Sequence, residues 1–247
     1  MKNYRIGIDT GGTYTDVVVL DSSSGEVIFS VKELTTHGQL ETGIITAPKR
    51  LFPKGKKLVR PAEISLVSLS STLATNAVVE GKGAPTAVFL IGFTGDMVAR
   101  TRLDSLVPPD SIVRIAGGHR YDGKEREPLN VDTLRKFLED HAEKYQAFSA
   151  TSHYSVRNSE HELLAQSVIR EYSGRHITVS SSLTEDLNSP RLALTATLNA
   201  AIQPLMNSLI RTVETAMSRV KIEVPLMIVR GDGSIIPAPN ALDRPIE

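Results

Sequence analysis

Apolar and polar residues alternate at the start of the chain: Tyr4, Ile6 and Ile8 take every second position, the period of a strand with one buried face. Thr13 to Leu20 follows as a second run rich in Thr, Tyr and Val, residues that fit a pleated surface. Asp21 to Gly25 (DSSSG) is turn chemistry, and Val27 to Val31 is a third apolar run. The opening therefore predicts a meander of strand, glycine turn, strand, turn and strand.

The pattern then changes to helices alternating with short apolar runs. Leu40 to Phe52 is a helix interrupted by Gly43 and Pro48, and strands at Ile64 to Leu69 and Thr86 to Ile91 flank a helix over about Thr72 to Glu80. Asn130 is placed to cap a helix with Leu134, Phe137, Leu138 and Tyr145 in one stripe, and Ala147 to Thr151 reads as a strand. Ser159 and Glu162 have capping-box spacing for a helix that Gly174 ends, before a strand at Ile177 to Val179. Ser189 and Pro190 open the longest periodic segment, with Leu198, Ile202, Leu205, Leu209, Val213, Met217 and Val220 on one side and a kink expected at Pro204. Its stripe reads as core or interdomain packing. Val224 to Val229 is the last apolar run, ahead of an RGDGS turn at Arg230 to Ser234. A meander feeding alternating helices and strands predicts an α/β protein with a mixed sheet.

Composition narrows the partners. The 247 residues are 40% hydrophobic and 23% charged, with Lys plus Arg equal to Asp plus Glu at 28 each, so no net field recruits nucleic acid or an anionic membrane. A small molecule or another protein is the expected partner. Cysteine is absent, which removes disulfides, thiolate metal sites and a cysteine nucleophile. Lys2, Arg5 and Asp9 interrupt the N-terminus, which reads as neither signal peptide nor membrane span, and a cytoplasmic location is expected.

The candidate chemistry sits in IDTGGTYTDVVVL, Ile8 to Leu20. The familiar glycine phosphate loops open a helix, whereas this one closes a hairpin. Turn N–H groups at Gly11 and Gly12, with the hydroxyls of Thr10, Thr13 and Thr15, are suited to phosphate oxygens. Asp9 would stand next to that anion, a pairing that calls for a cation between them, and hydrated Mg2+ on one carboxylate plus phosphates is the usual solution. A bare tight turn with Asp9 as its capping residue is the simpler alternative. Thr72, Thr75 and Asn76 open a helix after a strand and could meet an anionic or amide-bearing ligand, though from the residues alone Thr72 as a helix cap and Asn76 bonded locally is the favoured reading. His119 in GGHRYDG and His153 at a strand end read as surface polar residues, and His161 in a first helical turn as solvated.

IDTGGTYTDVVVLD resembles the first phosphate motif of the hydantoinase A/oxoprolinase family, part of the actin-like ATPase superfamily with its ribonuclease H-like fold. The pattern D-x-G-G-T-[FY]-T-D is matched at Asp9, Gly11, Gly12, Thr13, Tyr14, Thr15 and Asp16. STLATNAVVEGKGA at Ser71 to Ala84, DGKEREPLN at Asp122 to Asn130, NSEHE at Asn158 to Glu162 and Arg244-Pro245 are similar to further family segments in the same order. Leu69 to Thr72 depart from the usual H-G-T-T, and VRGDGS stands for M-Q-S-N-G-G, which puts Arg230 and Asp232 near the expected cleft.

The resemblance implies an N-terminal phosphate-binding domain over residues 1–185, then a long helix and the start of the family's core region over 186–247, as the N-terminal part of a longer protein. It implies ATP and Mg2+ as cofactors, with Asp9 as catalytic and metal-orienting residue and Thr10, Gly11, Gly12, Thr13, Thr15 and Asp16 around the phosphates. Thr72, Thr75, Asn76 and Asp232 would lie on the substrate side. The expected activity is ATP-dependent hydrolysis of a cyclic amide such as a hydantoin or 5-oxoproline, with a hydantoinase B-type subunit or a homo-oligomer as the assembly. An ATP-dependent ketone carboxylase subunit, a small-molecule kinase and a non-enzymatic ATP-driven switch are the alternatives.

Overall fold

The computed structural model describes residues 3–34 and 59–245. The helix expected over Leu40 to Phe52 lies outside the described residues. In chain order the strands and helices are β1 (Tyr4–Thr10), β2 (Tyr14–Asp21), β3 (Val27–Leu34), β4 (Ile64–Ser71), α1 (Leu73–Val79), β5 (Thr86–Ile91), α2 (Gly95–Thr101), β6 (Ile112–Ile115) and α3 (Val131–His141). They continue with β7 (Ala147–Ser152), α4 (Glu160–Ser173), β8 (Ile177–Val179), α5 (Ser189–Arg219), β9 (Leu226–Val229), β10 (Ile235–Pro237) and α6 (Ala238–Asp243). No helix among the described residues is long and apolar enough to cross a membrane.

The described residues divide into two compact units, one of those up to Val79 with Leu205–Pro245, the other of Glu80–Pro204. The first holds a six-stranded sheet in the order β10-β9-β4-β1-β2-β3. β1, β2 and β3 form the antiparallel meander, while β4 joins β1 in parallel and β9 joins β4 in parallel. One face of this sheet is buried through Tyr4, Ile6, Ile8, Val17, Val19, Val67, Leu69, Leu226 and Ile228. The alternation of β1 is what sets the register: a slip by one residue would expose the whole set.

The second unit holds a four-stranded parallel sheet in the order β6-β5-β7-β8. Every residue of β5 and β7 is buried, as expected of central strands covered on both faces. Phe89, Ile91, Phe148 and Ala150 pack there against Leu134 and Leu138 of α3 and Ala165, Val168 and Ile169 of α4. Asn130 caps α3 as its position predicts, its side chain accepting from the Thr133 N–H at 3.0 Å.

α5 runs unbroken through Pro204, and the division between the units falls directly after that residue. Asn188 accepts from the Arg191 N–H at 3.2 Å and serves its first turn. The expected capping box at Ser159 and Glu162 is not made. Ser159 makes no side-chain cap bond, Asn158 Oδ1 accepts from Glu160 N–H instead, and Glu162 is drawn into the interior.

Candidate functional site

β1 ends on Thr10 and β2 begins on Tyr14, so Gly11, Gly12 and Thr13 make the turn. The Gly11 N–H donates to Tyr14 O at 2.9 Å and closes the hairpin. Gly11 is therefore committed to the fold, and among the described residues the N–H groups of Gly12 and Thr13 have no backbone acceptor. A Cβ on Gly12 would come within 3.3 Å of Asn76 Nδ2, and one on Gly11 within 3.3 Å of Tyr14 O, so the turn is a concavity that side chains would fill.

Asp9 pairs with Asp16 across β1 and β2, Asp16 with Lys32 of β3, and Asp9 with Ser70 of β4, which sets Lys32, Asp16, Asp9 and Ser70 in one row on one face. Like charges directly opposite one another destabilise a sheet unless a cation intervenes. Lys32 Nζ, 3.3 Å from Asp16 Oδ2, supplies that cation to one carboxylate. Among the described residues Asp9 has no such partner, and its side chain is exposed. The pairing of two carboxylates depends on strand register, which a motif read linearly does not display.

The same alternation sends Thr10 and Thr15 to the opposite face, where each is 1% exposed. Thr10 Oγ1 is buried with no hydrogen-bond partner among the described residues. The structure thus gathers Asp9, Asp16, Gly12 and Thr13 at the turn and does not bring the hydroxyls of Thr10 and Thr15 to the Asp9 side.

Because β1, β4 and β9 run parallel, their carboxyl ends share one edge of the sheet, and the segments leaving them come together there. Thr72 N–H and Ser71 Oγ both donate to Thr10 O, at 3.3 and 3.1 Å, which ties the start of α1 to the end of β1. Asn76 Nδ2 donates to Thr72 Oγ1 at 3.3 Å and faces the position of Gly12. Thr75 is exposed on the same helix. After β9, the Asp232 carboxylate accepts from Ser234 N–H at 2.9 Å and Ser234 Oγ at 2.6 Å, and these bonds hold its pKa below the ordinary carboxylate value. Asp232 is committed to its own turn.

N–H groups without an acceptor among the described residues, an exposed carboxylate and a turn that only glycine leaves open fit a phosphorylated ligand with a hard cation. Asp9 could offer one oxygen ligand to such a cation, with phosphate oxygens as the others. Among the described residues no group of three or more His, Asp or Glu side chains could hold a metal unaided.

The histidines depart most from expectation. His119 is 1% and His161 3% exposed, so neither lies on the surface. His161 Nδ1 accepts from Gly118 N–H at 2.9 Å, which places its proton on Nε2, facing Glu125 Oε1 at 2.9 Å. The His119 ring lies 4.4 Å from the His161 ring with neither nitrogen bonded, and burial followed by the nearby His161 lowers its pKa. His153 is partly buried beside Ser189 Oγ at 3.1 Å, and burial then Arg126 lower its pKa as well. Glu162, fully buried, accepts from Ser152 N–H, Ser180 Oγ and Ser181 N–H at 2.8, 2.6 and 2.9 Å. These side chains gather at the carboxyl ends of β6, β7 and β8. The glycine pair preceding His119 was the one sequence signal of that closeness: a Cβ on Gly117 would fall 3.2 Å from His161 Nδ1.

A family profile described as the hydantoinase/oxoprolinase N-terminal region matches residues 5–173. The alpha subunit of the caprolactamase of Pseudomonas jessenii is 23% identical over 264 residues, covering 99% of this chain and 38% of that protein. An uncharacterised protein of Methanocaldococcus jannaschii is 25% identical over 263 residues with the same coverage. Among solved structures, a nucleotide-free acetone carboxylase superposes with a TM-score of 0.79 at 21% identity, over 99% of this chain and 38% of that one. The ATP-dependent caprolactamase of Pseudomonas jessenii gives 0.76 at 21% identity, over 95% and 36%. The chain spans 38% of the length of these curated relatives. The likeness to these two structures shows a shared fold.

Proposed function

Since the chain belongs to the hydantoinase/oxoprolinase family through its N-terminal region, we propose that it supplies the phosphate-holding part of an ATP-dependent enzyme that hydrolyses cyclic amides. The observation that carries this reading is the turn at the end of β1, where Gly12 and Thr13 present free N–H groups beside the unpaired carboxylate of Asp9. Amide resonance makes a lactam carbonyl a poor electrophile; a phosphoryl group from bound ATP on the carbonyl oxygen would let water add to that carbon, the C–N bond would then break with the nitrogen leaving as a protonated amine, and the acyl phosphate so formed would be hydrolysed to carboxylate and phosphate.

The chain's own residues have separable tasks. Gly12 and Thr13 hold phosphate oxygens through N–H donors and the Thr13 hydroxyl, with the Gly11 to Tyr14 bond keeping the turn rigid. Asp9 is the residue that would hold Mg2+ and orient the attacking oxygen, and Lys32 keeps Asp16 neutralised so that its charge does not oppose Asp9. Thr72 and Asn76, bonded to one another at 3.3 Å, border the turn on the side assigned to substrate. Thr10 and Thr15 act from beneath as packing residues, and Asp232 acts by shaping its turn.

The alpha-subunit relative supports assembly with a second, B-type subunit. The acetone carboxylase likeness supports a second reading, an ATP-dependent carboxylase, which bicarbonate-dependent product formation would distinguish. Replacing Asp9 by Ala in the complete natural polypeptide that carries this chain is the test. Lactam-dependent ADP release should fall by about 10²-fold or more, the scale of a lost electrostatic contact in a transition state. A rate near wild type overturns the role of Asp9.

A further inference from the structure

The second unit carries a cavity that the phosphate site does not use. It measures about 690 Å³, within the range of small-molecule sites, and is lined by Ser155, Arg157, Asn158, Ser181, Glu185 and Leu187 among others. It opens beyond the carboxyl ends of β7 and β8, the end of a parallel sheet at which open α/β folds bind ligands.

Its floor is preorganised. Glu162 ties the end of β7 to the segment after β8 by accepting from Ser152 N–H, Ser180 Oγ and Ser181 N–H. Ser155 Oγ, buried, meets Ser180 Oγ at 3.3 Å. Tyr154 holds a left-handed backbone at φ 59°, uncommon for a residue with a side chain, and its carbonyl accepts from Arg157 N–H at 2.9 Å, which fixes where Arg157 starts.

Above this floor stand two opposite charges. Among the described residues neither the Arg157 guanidinium nor the Glu185 carboxylate has a hydrogen-bond or ion-pair partner, although both line the same cavity. Every other lining group offers hydroxyl, amide or aliphatic surface. A mono-anion would leave Glu185 unanswered and a mono-cation would leave Arg157 so, whereas a molecule bearing both charges satisfies both.

We propose that this cavity binds a small zwitterionic amino acid, its carboxylate toward Arg157 and its ammonium toward Glu185. Opening a cyclic amide with water produces one carboxylate and one amine on the same molecule, so the ligand has the chemistry of the product; that identification rests on the function proposed above, while the binding site itself does not.

The test is calorimetric titration of the chain with 6-aminohexanoate, and with hexanoate and hexylamine as the singly charged halves. Saturable binding of 6-aminohexanoate is expected, weakened about tenfold or more in Arg157→Ala and in Glu185→Gln, with each half binding at least tenfold more weakly than the whole. Both substituted side chains are exposed and unbonded, so the variants should keep the wild-type melting temperature. Absence of saturable binding of 6-aminohexanoate, or either hexanoate or hexylamine binding as tightly as 6-aminohexanoate, overturns the proposal. Asp9→Ala should leave this binding unchanged, which separates failure of this site from failure of the phosphate site.

Discussion

Glu162→Gln isolates what one buried carboxylate does for the second unit. Glu162 is 0% exposed, and its two oxygens receive three donors: Ser152 N–H and Ser180 Oγ on Oε1, Ser181 N–H on Oε2. Glutamine has the same shape but replaces one oxygen by an NH2 group. Whichever way the amide turns, at least one backbone N–H then faces another donor. The Ser180 hydroxyl can rotate toward Ser155 Oγ, 3.3 Å away, but the N–H groups cannot move without shifting the backbone. Losing one bond to a charged acceptor costs about 1.5–3 kcal/mol, and a buried donor left unsatisfied adds to it, so about 3 kcal/mol is expected. At about 2–4 °C per kcal/mol for a chain of this size, the melting temperature should fall by about 6–12 °C. Thermal denaturation followed by circular dichroism reads this directly, with Glu160→Gln at the exposed neighbouring position as a control expected within about 0.5 kcal/mol of wild type. A Glu162→Gln melting temperature indistinguishable from that control would refute the assignment of Glu162 as the tie between β7 and β8.

Two further outcomes follow from the same end of that sheet. The pKa of His119 lies below the ordinary 6.5, so the unfolded chain takes up the proton first as pH falls; the stability this contributes is present above 6.5 and lost as pH drops through 6.5 toward the depressed native value. His119→Phe, which keeps a ring beside His161 and removes two unbonded nitrogens, should flatten the loss of melting temperature between pH 7.5 and 5.5, with His153 retaining part of the slope, and an unchanged slope would contradict it. Gly92 has φ 72° and a Cβ there would lie 2.5 Å from Gly117 O, so Gly92→Ala should cost several times more than an ordinary surface substitution, as read by urea denaturation.

The sequence displayed the first sheet well because each strand of the meander has one wet and one dry face, and alternation survives in Tyr4, Ile6 and Ile8 as written. β5, β7 and β8 were legible for another reason, being short, wholly buried runs of small, apolar and β-branched residues between helices. β6 (IVRI) was not, since its four residues follow Pro108 and Pro109 and their two half-buried apolar positions resemble a loop. α2 begins on Gly95, and α6 holds only six residues with Pro239 among them, so neither carries a helical period. Of the proposed phosphate site, the glycines and Asp9 could be read as a string, but the cross-strand neighbour of Asp9 could not, because register joins residues seven positions apart. The histidines misled for a related reason: single polar residues in loops usually face water, and only the fold brings His119, from the loop after β6, against His161 at the start of α4.

The central claim is that the turn between β1 and β2 holds phosphate with Asp9 as the cation's protein ligand. A crystal structure of the complete natural polypeptide with Mg2+ and a non-hydrolysable ATP analogue tests it most directly. Phosphate oxygens are expected within hydrogen-bonding distance of Gly12 and Thr13 N–H, and the metal linked to Asp9 directly or through one water. Nucleotide bound elsewhere, with Asp9 facing only solvent, would contradict it.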